Sequence, residues 1–198
     1  LAQIDEHDEA LKQVVLASRL LVTKTDIANA ATSENVERRL TALNPFAGLE
    51  RIAHGTIGAD ALFADDEYDP ASMDGHADNW LGHNHDHNHG DHHSHDETIR
   101  SCYVTRDEPI AWSAVQDWLT SLTSLRGGDL LRVKGIVNVV ERDRPVVLHG
   151  VQHVFHPPVL LDDWPDTDRR TRIVCITRGL IEADLSNALD AAIENLRD

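Results

Sequence analysis

Residues 64–97 constrain the fold most, because they cannot form a core of their own. Residues 65–97 contain ten Asp or Glu, eight His and no Lys or Arg. This composition buries too little apolar surface to offset the entropy lost when a chain becomes ordered. We therefore interpret 64–97 as a His- and Asp-rich flexible linker or insertion. It separates two segments with regular apolar patterns, 1–63 and 98–198.

The same stretch predicts a metal-binding site, because neutral imidazole is a good ligand for Zn²⁺, Co²⁺, Ni²⁺ and Cu²⁺. Tetrahedral zinc needs four donors, and closely spaced histidines offer many combinations of four. Nearby Asp86, Asp91 and Asp96 add a negative potential that attracts cations. The alternative interpretation is a solvated spacer whose histidines are incidental. The predicted metal ligands are His83, His85, His87, His89, His92, His93 and His95.

The charge and hydropathy of the chain limit its partners. The net charge is −16, whereas nucleic-acid binding needs clustered Lys and Arg, so we expect no nucleic-acid partner. No apolar stretch is long enough to span a membrane, and the acidic first residues do not resemble a secretory signal. We therefore expect no membrane association and a cytoplasmic location. The chain opens with Leu1, which indicates a fragment or a processed product.

The two cysteines, Cys102 and Cys175, lie far apart in sequence and within apolar runs. We expect them to be buried free thiols in a reducing compartment. A disulfide or a metal-binding pair is the alternative.

The first segment predicts helices that alternate with a strand. Apolar spacing predicts a helix over 5–17, and residues 19–23 predict a short buried strand. A second helix follows, with Ser33 as its predicted cap and Asn44-Pro45 as its end. A small helix is predicted over 59–63. A strand followed by a helix is typical of α/β folds, in which ligands bind at the carboxyl ends of strands.

Residues Thr23-Lys24-Thr25-Asp26, directly after the predicted strand, have the form of the K-x-D guanine-specificity motif of GTPases. The Asp carboxylate can accept hydrogen bonds from the ring N–H and the exocyclic amine of guanine. Adenine lacks these donors at those positions, and an unpaired carboxylate facing it is costly. The Lys stem would lie along the nucleotide. Because K-x-D is short, ordinary polarity at a strand end is the alternative interpretation.

A phosphate-binding loop of the form G-x-x-x-x-G-K-S/T is absent from the 198 residues. Without that loop, these residues lack the amides and the lysine that hold the phosphates and the hydroxyl that binds Mg²⁺. We therefore predict no measurable GTP turnover by this chain alone and assign no catalytic residue.

The second segment predicts a small α+β domain. Its elements have the order β-α-β-β-β-α, which describes an antiparallel sheet with helices on one face. A polar turn joins the third and fourth of these elements. The predicted strands are 98–106, 130–140, 146–155 and 172–177, and the predicted helices are 112–125 and 182–196.

Two groups of residues in the second segment have more than one interpretation. His149 and His153, four residues apart, are predicted to share a strand face as structural histidines. Arg169, Arg170 and Arg172 form the clearest basic patch. The patch either forms ion pairs with acidic neighbours or contacts the first segment or a client protein.

These segments together resemble the CobW family, within the CobW/HypB/UreG class of GTPases. QVVLASRLLVTKTDIA resembles the helix–strand–motif segment of that family, and RRLTALNP resembles the helix and Asn-Pro that follow it. YVTRDEPIAW, LLRVKGIV, VVLHGVQHVFHPP and DRRTRIVCITRGL resemble its C-terminal domain. A His-rich linker between the two parts is also typical of the family.

The resemblance implies an α/β protein in which the C-terminal part of a P-loop GTPase domain precedes a CobW C-terminal domain. It implies coupling of GTP, bound with Mg²⁺, to delivery of zinc or cobalt to a metal-requiring client protein. Lys24 and Asp26 would then read guanine, Thr23 would shape the loop, and Asn44 would lie beside the base. The family's phosphate loop, Mg²⁺-binding acids and C-x-C-C metal motif are not in these residues and would precede Leu1.

Our leading hypothesis is therefore the C-terminal part of a cytosolic GTP-dependent metal chaperone. The runner-up is a non-enzymatic metal-binding or buffer protein without nucleotide turnover. A third interpretation is an interaction module in which the histidine tract is only a spacer. A strand separated from its sheet has unpaired backbone edges, which leaves exposure or homo-oligomerisation open.

Overall fold

The computed structural model describes residues 4, 7–59, 62, 99–126 and 128–196. The described part of the first segment forms a β-α-β unit preceded by a helix, and the second segment forms a sheet with two helices. The elements are α1 (Asp8–Leu16), β1 (Arg19–Thr23), α2 (Ala30–Leu43), β2 (Gly48–Ile52), β3 (Ile99–Arg106), α3 (Trp112–Arg126), β4 (Leu130–Val137), β5 (Val146–Val151), β6 (Val154–Phe155), β7 (Val159–Leu160), β8 (Thr171–Arg178) and α4 (Glu182–Glu194).

Strands β1 and β2 pair in parallel, with α2 as the crossover between them. Helix α2 ends at Leu43, as Asn44-Pro45 predicts. Its N-cap, however, is Asn29, whose Oδ1 accepts a hydrogen bond from Ala31 N at 2.9 Å. The prediction of Ser33 as the cap is wrong, because the cap lies four residues earlier and the helix buries Ser33 in its first turns.

The predicted burial of β1 is also wrong. Four of its residues are half-buried and Thr23 is exposed. The reason is that only β2 pairs with it among the described residues. A parallel strand becomes fully buried when it has neighbours on both edges and helices on both faces.

The second segment forms a six-stranded sheet in the order β3-β8-β4-β5-β6, in which β7 also pairs with β5. All of these pairs are antiparallel. The predicted β-α-β-β-β-α order is confirmed, with β6 and β7 as additional short strands. Within the described residues, no helix is both long and apolar enough to cross a membrane.

The predicted strand 146–155 is two strands, because the chain reverses at Gln152, whose φ is 54°. Gly150 then pairs with Phe155, and a Cβ at Gly150 would lie 2.5 Å from the Phe155 ring. This close approach requires glycine. His149 lies in β5 while His153 lies in the turn, so the prediction that these two share a strand face is wrong.

Helices α3 and α4 cover one face of the sheet, as predicted, and their apolar side chains form a core with its strands. Trp118 of α3 is fully buried. Its Nε1 donates to the carbonyl oxygen of Leu185 at 3.1 Å, so the indole joins the two helices. Burial of a side chain of this size contributes several kcal/mol, on the order of 3.

The opposite face of the sheet is covered by the first segment. Leu11 and Val15 of α1, with Leu43 and Phe46, pack against sheet residues such as Ile136. The two segments therefore share a core. The predicted domain boundaries, 1–63, 64–97 and 98–198, lie largely outside the described residues and stay predictions, as does the small helix over 59–63.

Candidate nucleobase site and the contact between the two segments

The carboxyl ends of β1 and β2 meet at one edge of the two-stranded sheet. Thr23 and Ile52 are paired in register at these ends, and Thr25 Oγ1 donates to the carbonyl oxygen of Ile52 at 3.5 Å. The loops 24–29 and 53–56 consequently lie side by side. This is the edge at which open α/β sheets bind ligands.

Lys24 has a φ of 61°, in the left-handed region that side-chain-bearing residues rarely adopt. Its carbonyl oxygen accepts hydrogen bonds from Ile27 N at 3.2 Å and from Ala28 N at 3.1 Å. The turn so formed holds the strained residue in place. Strain of this kind is concentrated at binding sites, where it holds a loop in one shape.

Asp26 lies in this turn with a partly exposed side chain. Its Oδ2 is 3.6 Å from Nε2 of His54, whose side chain is 79% exposed. His54 and the following Gly55 both have positive φ, at 54° and 71°, so the second loop also turns sharply. The structure therefore brings Thr23, Lys24 and Asp26 together, and it adds His54.

Sequence patterns alone do not single out His54, because one histidine outside a motif is uninformative. The available signal is indirect. Once residues 48–52 are identified as a strand parallel to β1, the polar residue just beyond Ile52 must lie at the same sheet edge as the K-x-D motif.

Asn44 lies elsewhere, with 1% of its surface exposed. Its Nδ2 donates to the carbonyl oxygens of Val14, Val15 and Ala17 at 2.7, 3.1 and 2.8 Å. Its Oδ1 accepts from Phe46 N at 3.1 Å. The side chain thus closes the end of α1. Contact between Asn44 and a base stays a prediction, and this placement does not support it.

Arg132 of β4 completes the closure of α1. The last four carbonyls of a helix lack partners within it. In α1, Gln13 O accepts from Ala17 N and the next two carbonyls accept from Asn44. Arg132 Nη1 donates to Leu16 O at 3.2 Å and to Ala17 O at 2.9 Å. All four carbonyls are therefore bonded, and the C-terminal sheet supplies one of the donors.

Arg132, Lys134 and His149 form a buried basic cluster on the sheet face that meets the first segment. The Phe46 ring centroid is 5.5 Å from Arg132 Cζ and 5.3 Å from Lys134 Nζ. These distances are typical of cation–π contacts. Phe46 thereby joins the first segment to the cluster.

Burial disfavours the charged forms in this cluster. It lowers the pKa of Arg132 to about 10. Burial, with a smaller effect of the Arg132 charge, lowers the pKa of Lys134 to about 7. Burial and the nearby cations lower the pKa of His149 to about 3. The contact between the segments therefore contains a neutral histidine and a lysine close to its midpoint at neutral pH.

Two arginines of the predicted basic patch form ion pairs with acidic neighbours. Arg172 is buried, and its Nη1 donates to Asp166 Oδ2 at 3.0 Å. Arg170 Nη2 donates to Asp168 Oδ2 at 2.8 Å. The ion-pair interpretation of Arg170 and Arg172 is confirmed.

The predicted metal site lies outside the described residues and stays a prediction. Among the residues that the structure describes, no group of three or more His, Cys, Asp or Glu is placed to hold a metal ion. The ligands concerned are His83, His85, His87, His89, His92, His93 and His95.

A family model described as "Cobalamin synthesis protein cobW C-terminal domain" matches residues 99–193. Residues 99–193 are therefore similar to the CobW C-terminal domain. The match covers every element from β3 to α4 except the last residue of that helix, so the resemblance drawn from the sequence and the predicted fold class are both confirmed. A search of curated proteins gave no match.

Two solved structures of the YjiA GTPase are similar to the whole arrangement. One is zinc-bound YjiA from E. coli, with a TM-score of 0.69 and 24% identity, and it covers 96% of this chain. The other is a zinc-bound triple mutant of YjiA, with a TM-score of 0.69 and 25% identity, and it also covers 96% of this chain. The likeness includes the first segment as well as the CobW C-terminal domain. The chain spans 57% of the length of either YjiA chain.

Proposed function

We propose that this chain is the guanine-reading and C-terminal part of a GTP-dependent transition-metal chaperone, with zinc or cobalt as its cargo. The observation that carries the proposal is the K-x-D turn at the carboxyl ends of β1 and β2, in a segment that packs through a shared core onto a domain similar to the CobW C-terminal domain. The zinc-bound YjiA GTPase, which is similar in fold over 96% of this chain, supports it.

In this proposal Asp26 reads the base. Guanine places a ring N–H and an exocyclic amine side by side, and the two oxygens of one carboxylate accept both. Oδ2 of Asp26 is also the oxygen nearest His54. The base would therefore displace or share that contact. Thr23 and Lys24 shape the turn that presents Asp26, and the Lys24 stem lies along the nucleotide.

GTP hydrolysis is assigned to residues outside this chain, because the 198 residues contain no G-x-x-x-x-G-K-S/T loop. That loop would supply the phosphate amides and the hydroxyl for Mg²⁺ when the nucleotide is bound. The residues of this chain contribute base selectivity. The CobW C-terminal domain would contact the client protein that receives the metal.

Metal collection is assigned to the histidine-rich residues 83–95. Many near-equivalent sets of imidazoles give fast exchange and moderate affinity, which suits transfer better than structural binding. The cytoplasm is the proposed location, since the chain is acidic and its cysteines are free thiols.

Saturation-transfer NMR tests base reading, since it detects millimolar binding to half of a pocket. We expect guanosine monophosphate to receive saturation from the 198-residue chain and adenosine monophosphate to receive none. Asp26→Asn replaces one carboxylate oxygen, an acceptor, by an amide donor. The variant should therefore no longer bind guanosine monophosphate and should bind xanthosine monophosphate, whose ring carries a carbonyl in place of the exocyclic amine. Asp117→Asn, an exposed change on α3, is the control. Equal signals for all the nucleotides would contradict base reading.

Zn²⁺ titration tests metal collection. A variant with all seven histidines of 83–95 changed to Asn keeps the chain length and should bind less Zn²⁺ than the native chain. Protons compete for imidazole, so affinity of the native chain should fall between about pH 7 and 5. Equal stoichiometry in both chains would remove these residues from the function. Metal binding without guanine binding would favour the non-enzymatic buffer protein.

A further inference from the structure

Cys102 and Cys175 face each other across two neighbouring strands. They are a register pair of β3 and β8, and both are free cysteines in the core that α3 and α4 cover. Residues directly opposite in an antiparallel pair have Cβ atoms about 4.5–5.5 Å apart. A disulfide spans about 3.5–4.5 Å between its Cβ atoms. A small local adjustment therefore suffices to join them.

We propose that Cys102 and Cys175 are a redox site that forms a reversible cross-strand disulfide when a small disulfide oxidant is present. Cys102 Sγ lies 3.6 Å from Thr177 Oγ1 and 3.7 Å from the carbonyl oxygen of Leu180. These are weak contacts, because a thiol is a poor donor. A rotation of the Cys102 side chain breaks these two contacts and turns the Cys102 sulfur toward Cys175.

Burial determines how the bond forms. It raises the pKa of both thiols, and the thiolate is the reacting form. The closed core is therefore slow to react, and the reaction proceeds through openings of β3, an edge strand of the sheet formed by the described residues. Helix α4 holds that edge: Tyr103 N donates to Glu182 Oε2 at 3.4 Å, and Arg106 Nη2 donates to Asp190 Oδ1 at 2.8 Å.

The chemistry balances with oxidised glutathione as the oxidant. In the opened strand the Cys102 thiolate attacks one glutathione sulfur, forms a mixed disulfide and releases one glutathione thiolate. Cys175 loses its proton to water and attacks Cys102 Sγ, which releases the second glutathione. Two protein thiols give up two electrons and two protons, and one glutathione disulfide becomes two thiols.

The bond fastens the first strand of the CobW C-terminal domain, directly after residues 63–98, to its neighbour β8. Openings of β3 become rarer in the oxidised chain, because its middle is tied covalently to an inner strand. The site acts independently of guanine or metal binding.

Intact-mass analysis of the full 198-residue chain after incubation with oxidised glutathione tests the proposal. We expect loss of the mass of two hydrogen atoms, one cross-linked peptide pair containing Cys102 and Cys175, and reversal by dithiothreitol. Hydrogen exchange over 99–106 should slow, and the thermal midpoint should rise. Arg106→Ala, which loosens the edge strand, should form the bond several-fold faster.

Cys102→Ser and Cys175→Ser are the controls and should show neither the internal mass loss nor the rise in thermal midpoint. Three outcomes would overturn the proposal: an unchanged mass, a glutathione adduct that never resolves, or disulfides only between two chains. None of them would bear on the nucleotide or metal assignments.

Discussion

Arg132 Nη1 lies 2.9 Å from the carbonyl oxygen of Ala17, so the C-terminal sheet closes the helix that leads into β1. Lys24, the strained residue of the candidate nucleobase site, lies seven residues beyond Ala17, on the other side of β1. The contact that joins the two segments therefore lies at the end of β1 opposite to the proposed guanine-reading turn.

Arg132→Met should lower the free energy of unfolding by about 1–3 kcal/mol, because the carbonyls of Leu16 and Ala17 lose a buried donor. Relief of the buried charge offsets part of the loss. Urea denaturation measures the change. Arg142→Met, at an exposed position, is the matched control and should stay within about 0.5 kcal/mol of the native value. Equal values for the two variants would show that the contact contributes nothing.

Asn44→Ala should lower the free energy of unfolding by about 2–3 kcal/mol, because three carbonyls at the end of α1 lose the amide that they share. The exposed Asn35→Ala is the control. Saturation-transfer NMR of the same variant measures guanine binding. It separates the role of Asn44 at the end of α1 from its predicted contact with the base. Unchanged stability with lost guanine binding would favour the predicted contact with the base over the cap.

Lys134 makes stability depend on pH above neutrality. Its pKa is about 7 in the folded chain and 10.5 ordinarily. Between these values the unfolded chain holds a proton that the folded chain has released, so stability should rise with pH. Between pH 7 and 10, the free energy of unfolding of the native chain should rise by up to about 1.4 kcal/mol per pH unit relative to that of Lys134→Met. Urea midpoints at pH 7, 8 and 9 measure this, and parallel curves would contradict it.

Gly150→Ala should lower the free energy of unfolding by about 1–3 kcal/mol, because its Cβ would meet the Phe155 ring. Phe155→Leu should restore part of the loss in the double variant, and thermal unfolding of all four chains gives the coupling. Gly48→Ala is the control, since a Cβ there meets nothing within 4 Å. Additive losses in the double variant would rule out the steric explanation.

Local patterns predict most elements of this fold because their causes are local. Short apolar runs rich in β-branched residues predict β3 and β8, and Asn44-Pro45 predicts the end of α2. The break within 146–155 escapes prediction, because Gln152 adopts a positive φ that only its neighbours in space can hold. The packing of α1 and α2 on the second face of the sheet is also not predictable from local patterns. The periodicity of a helix shows that it has an apolar face, but it does not show which surface that face packs against.

The candidate site is predictable in part for the same reason. Thr23, Lys24 and Asp26 form a contiguous motif, so their proximity follows from the chain itself. His54 joins them only through the pairing of β1 with β2. The interpretation of Asn44 rests on a family resemblance, while its buried bonds to α1 depend on packing that the motif does not encode.

The core shared by the two segments makes the covalent chain between them dispensable for their association. If the backbone were cut between residues 63 and 98, Leu11, Val15 and Phe46 would still cover the sheet, and Arg132 would still bind the end of α1. The pieces should therefore copurify and recombine when mixed, as complementary fragments of one folding unit.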